Sequence, residues 1–75
     1  RSQSTVRHEL KTVEREVLKV EKAVERLRVG LVDASADHEA LAKVGADLTV
    51  REQELNGLEE RWLELSAEIE EIDAQ

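Results

Sequence analysis

The side chains best suited to moving protons or gripping a metal are two histidines and eighteen carboxylates, and their spacing assembles no reaction centre. His8 and His38 stand thirty residues apart in the chain. Asp37, His38 and Glu39 are adjacent and could hold a cation weakly, but on a helix consecutive side chains point in different directions, so they do not converge. Glu59-Glu60 and Glu70-Glu71 are consecutive for the same reason and read as solvated faces, not as a paired acid and base. Gly30, Gly45 and Gly57 are isolated, and Gly-Lys-Ser/Thr never occurs, so there is no loop to cradle a phosphate. No cysteine is present, which excludes thiolate ligands and disulfides and fits a reducing cytoplasm. The expectation is a non-enzyme: no catalytic residue, no metal and no cofactor in this segment.

One charged pattern remains. Lys11, Arg15, Lys19, Lys22 and Arg26 recur every three or four residues, which lines them along one side of a helix for ~22 Å. Such a ridge can track the phosphates of a nucleic acid, with salt-sensitive and weakly sequence-selective binding; it can equally be a solvated helix face. The net charge of −7 opposes simple attraction. Trp62, the single aromatic, could stack on a base or serve as packing.

The elements that must carry this ridge are written in the apolar spacing. Val6, Leu10, Val13, Val17, Val20, Val24, Leu27 and Leu31 follow alternating gaps of four and three, the signature of a coiled-coil seam. A second run, Leu41, Val44, Leu48, Arg51, Leu55, Leu58, Trp62, Leu65, Ile69 and Ile72, repeats it with one polar member. Continuing the first phase would predict His38 and Gly45 as seam residues, so the helices are separate. The fold class is therefore all-α: an antiparallel two-helix coiled-coil hairpin with helices over about 4–32 and 36–73, forming one domain over 1–75. Pairing a-type with d-type positions gives a register in which partners sum to 68, with Val6 opposite Trp62 and Arg51 opposite Val17.

Several finer expectations follow from that register. Gly30 loosens the end of the first helix, the turn falls at Asp33 to Ser35, and Ser35 caps the second helix. Arg7 meets Glu59, and Glu9 meets Arg61. Arg51 is either a register pin among Glu14, Glu16, Glu52 and Glu54 or an arginine snorkelling along its own stem. The second helix outruns the first, leaving Leu65, Ile69 and Ile72 as an uncovered stripe, either a frayed end or a seam for a homodimer. Residues 1–32 hold eight Lys or Arg against five Glu, net +3, and residues 33–75 hold three against thirteen acids, net −10. A basic helix thus lies against an acidic one.

Composition agrees: 40% apolar and 39% charged residues without proline is a long-helix composition. No run approaches the ~18 apolar residues needed to span a bilayer, so no membrane contact is expected. The absence of an initiating methionine reads as an excised piece or processed fragment of a larger parent.

Glu52-Gln53-Glu54-Leu55, followed by Leu58-Glu59-Glu60-Arg61-Trp62-Leu63-Glu64-Leu65, resembles the C-terminal coiled-coil domain of ABC-F ATPases, the Uup-like group in particular, where a Glu-Arg-Trp-x-x-Leu ending closes a similar hairpin. Val32-Asp33-Ala34-Ser35 and His38-Glu39-Ala40-Leu41-Ala42 are similar to that domain as well. The resemblance implies a cytoplasmic, non-transporter parent with two ATP-binding cassettes that would bind ATP and Mg, act on ribosomes and translation, and touch DNA through this terminal domain. The basic ridge would supply the contacts, and Trp62 would pack the motif. The competing expectation is an oligomerisation or protein-docking arm that binds no nucleic acid.

Overall fold

The computed structural model describes residues 1–74, so the last residue of the expected domain lies outside them. Two helices, α1 (Gln3–Asp33) and α2 (His38–Asp73), fold back on one another into a rod 58 × 14 × 14 Å. Neither contains proline, and both are rich in Glu, Lys, Arg, Leu and Ala, which favour long uninterrupted helices. The Ser2 hydroxyl accepts from the Thr5 amide at 3.3 Å and starts α1. Asp37, not Ser35, starts α2: its Oδ1 accepts from the amides of Glu39 and Ala40 at 3.1 and 3.2 Å. One carboxylate oxygen thus satisfies two orphan N–H groups at the positive end of the helix.

That cap moves the turn to Ala34–Asp37. Its backbone is closed by Ala34 N–H to the Gly30 carbonyl (2.9 Å) and Asp37 N–H to the Ala34 carbonyl (2.9 Å), without any positive φ. Gly30 does not end α1, which continues to Asp33. A Cβ on Gly30 would meet Val44 Cγ1 at 3.5 Å, an ordinary contact; the glycine sits where α2 crosses close by.

Moving the turn toward the C-terminus shifts the apolar pairings. Val6 does not face Trp62; it packs with Leu65 and Ile69, and Leu10, Val13 and Ile72 close around them. Val6 and Leu65 are wholly buried, 0% exposed. The expected overhang is therefore absent: Leu65, Ile69 and Ile72 are covered by α1, and no homodimer seam is open there. All eight apolar seam residues of α1 lie buried or half-buried, whereas in α2 Arg51 and Trp62 are exposed.

The charges around this cluster clamp the free end. Arg1 donates to both carboxylate oxygens of Glu68, at 2.9 and 2.7 Å, and to Glu9 at 2.6 Å. Glu9 also accepts from Arg61 at 3.0 Å, as the sequence leads one to expect, and Arg61 reaches Glu64 at 3.1 Å. Arg7 turns to Asp73 at 3.5 Å instead of Glu59, and Gln3 donates to Asp73 as well. The bidentate bond from Arg1 holds the Glu68 carboxyl below the usual glutamate range and raises the arginine in turn.

Arg51 is not opposite Val17 and gathers no glutamate cluster. It pairs within its own helix with Glu54 at 2.8 Å, and its stem lies over a shallow groove with Ala23, Leu27 and Val50. The remaining glutamates disperse: Glu52 stands 4.0 Å from Arg28, and Glu16 3.6 Å from Lys19.

Candidate nucleic-acid interface

At 100° per residue the α1 seam and the set Lys11, Arg15, Lys19, Lys22 and Arg26 lie on opposite sides of the helix cylinder. All five cations are exposed. Among the described residues their close polar contacts are local, Lys19 to Glu16 at 3.6 Å and Arg15 to the Thr12 hydroxyl at 3.4 Å. None is drawn into the pairs that join α1 to α2, which use Arg1, Arg7, Arg28 and Arg61. Arg28 thus leaves the basic face, turned toward Glu52 although it follows Arg26 by two residues.

The same stripe holds His8, exposed one turn before Lys11. Apart from His8, this line from Ser4 through Arg26 holds small or cationic side chains. Acidic residues of α1 fall on its flanks: Glu9 and Glu16 toward one edge of α2, and Glu14, Glu21 and Glu25 toward the other. The outer face of α2 carries Glu60, Glu64 and Glu71, on the far side of a rod 14 Å across. That separation exceeds the ~8 Å Debye length at physiological ionic strength. Nearer the ridge, Asp47 of α2 lines a groove with Arg26 and Glu59 lines one with Lys22, so the acidic helix tempers the ridge toward its C-terminal end.

Trp62 lies outside the buried seam, 39% exposed. It lines a surface groove with Val17, Leu18 and Leu63, bordered by Glu14 and Glu59. Leu18 and Leu63 are 59% and 62% exposed. Neither belongs to a seam, and heptad reading passed over both because each lies off the expected stripe. Glutamates beside the indole make the groove a poor place for a nucleic-acid base.

Asp37 and Glu39 are occupied or exposed at the start of α2, beside an exposed His38. Among the described residues no group of three or more His, Asp or Glu side chains is placed to hold a metal ion. No helix is long and apolar enough to cross a membrane among those residues.

A family profile described as ABC transporter C-terminal domain matches residues 3–67. No curated protein and no solved structure shows significant similarity to the chain. The match runs through α1, the turn and most of α2, including the Trp62 motif. The chain belongs to the ABC transporter C-terminal domain family, as an accessory helical hairpin of ABC proteins.

Proposed function

We propose that this hairpin is the non-catalytic arm of an ABC-F type ATPase and that it contacts DNA or ribosomal RNA through the outer face of α1. The observation that carries the reading is the ridge: five exposed cations in one line, free of the interhelix ion pairs and opposite the seam. Hydrolysis of ATP with Mg, in a cytoplasmic parent with two cassettes acting on translation, belongs to the same proposal. The hairpin would supply grip, and the cassettes would supply work.

Binding of this kind is dominated by counterion release. If the ridge neutralises five phosphates, log K against log salt falls with a slope of about −4.5 on duplex DNA. Fluorescence anisotropy with labelled duplex DNA, single-stranded DNA and structured RNA at several salt concentrations measures it. Reversal of Lys11, Arg15, Lys19, Lys22 and Arg26 to glutamate abolishes binding if the ridge is the contact. Unchanged affinity and slope in that variant would dismiss it.

A further inference from the structure

Beyond its seam with α2, α1 carries a second line of heptad spacing. Arg15, Leu18, Lys22, Glu25, Val29 and Val32 follow gaps of three, four, three, four and three, and every one of them is exposed. Of the six large apolar side chains exposed among the described residues, Leu18, Val29 and Val32 fall on this line, and two others, Trp62 and Leu63, flank Leu18 across the groove. We infer that this line is a self-association surface: a second copy of the chain lies antiparallel along α1, setting its Val29 and Val32 over Leu18, Trp62 and Leu63.

The choice of a second copy rests on complementarity. In an antiparallel pair, a-type positions meet d-type positions. Several registers obey that rule, and the one that matches all six positions sets Leu18 against Val29 of the partner subunit, Lys22 against Glu25 of the partner subunit, and Arg15 along Val32 of the partner subunit, each contact occurring twice by symmetry. On the margins Glu21 comes beside Arg26 of the partner subunit, again twice. Glu21, Lys22, Glu25 and Arg26 have no ion-pair partner within one molecule among the described residues, so the charges remain available. The like-charge facing of Glu14 and Asp33 falls at the outer ends of the overlap, where solvent screens it.

Antiparallel placement also keeps the acidic ends apart. Each copy is most negative toward the free end of α2, and this arrangement points those ends in opposite directions. The overlap covers about 18 residues, or ~27 Å of helix, which is small beside the interfaces of permanent dimers. The association is therefore weak and reversible, in the micromolar range. Arg15, Lys22 and Arg26 of the basic ridge lie in this contact, so association and nucleic-acid binding compete for them; only Lys11 and Lys19 stay outside it.

Sedimentation velocity of the 75-residue chain over about 10 to 500 µM, with Trp62 emission followed in parallel, tests the inference. Expected are a monomer–dimer equilibrium and a blue shift of the tryptophan with concentration. Leu18→Glu and Val29→Glu, both at exposed positions, each weaken association about tenfold or more at unchanged helix content. Glu21→Arg alone weakens it, because two facing pairs become repulsive, and Glu21→Arg combined with Arg26→Glu restores it. A strict monomer throughout the range overturns the proposal, as does association indifferent to Leu18→Glu and Val29→Glu or a double exchange that fails to rescue.

Discussion

The free end of the rod and its middle are built from the same heptad code and packed to different depths. At the free end Val6, Leu65 and Ile69 interlock from both helices, and a network of Arg1, Glu9, Arg61 and Glu68 closes over them. In the middle α1 still buries Val20 and Val24, while α2 offers only half-buried leucines with Arg51 and Gly57 between them. The difference teaches that spacing assigns a residue to a seam but not to a depth. Depth depends on what the opposing helix places one turn either side, and that is a property of register.

The contrast can be broken most severely at Leu65. Leu65→Ala removes a wholly buried side chain and costs about 2 to 5 kcal/mol; thermal unfolding followed by circular dichroism shows a large fall in Tm. Leu55→Ala, at a half-buried site in the middle, costs visibly less. Equal losses at the two positions would erase the distinction.

The turn comes next in size. Asp37→Ala strips two amides of their acceptor and costs about 1 kcal/mol, whereas Ser35→Ala is close to neutral in the same melts. A similar magnitude with opposite sign is expected in the middle: nothing lies within 4 Å of a Cβ built on Gly57, so Gly57→Ala stabilises the protein by up to about 1 kcal/mol. Denaturant titration resolves it as a raised midpoint with an unchanged slope.

The smallest effect belongs to the clamp. Glu68 is held below its ordinary pKa, first by the hydrogen bond from Arg1, so it binds fewer protons folded than unfolded. Its contribution is present above the ordinary glutamate range and is lost as pH falls through the lowered value. Both partners are partly exposed, so solvent screening keeps the contribution modest. Comparing pH-dependent melts of the native chain with Glu68→Gln should show a slightly shallower acid limb in the variant.

The hairpin itself was legible because eight apolar residues of α1 and nine of α2 obey one spacing, and periodicity survives any error in the turn. Register was not, because it hinges on which of Ser35 and Asp37 caps α2. Both are good capping residues, and only the carboxylate reaches two amides at once. That slip of the turn explains the rest: Trp62 moved out of the seam, Arg51 lost Val17 as a neighbour, and the supposed overhang of Leu65, Ile69 and Ile72 became the best-packed part of the rod. The ridge was legible for a simpler reason. Lys11 through Arg26 stay opposite the α1 seam whatever α2 does, so their exposure needs no register. Leu63 went unnoticed because a single off-stripe leucine carries no periodic signal, and Leu18 because the line it shares with Val29 and Val32 is half charged.

Because the chain has no cysteine, register can be read directly by paired substitution. Val6→Cys with Leu65→Cys brings two thiols across a closed contact, where Cβ atoms about 4 Å apart suit a disulfide, and mild oxidation should form an intramolecular bond rapidly. Val6→Cys with Trp62→Cys should remain reduced under the same conditions. Rapid closure of the 6–62 pair with an inert 6–65 pair would contradict the fold described and return Trp62 to the seam.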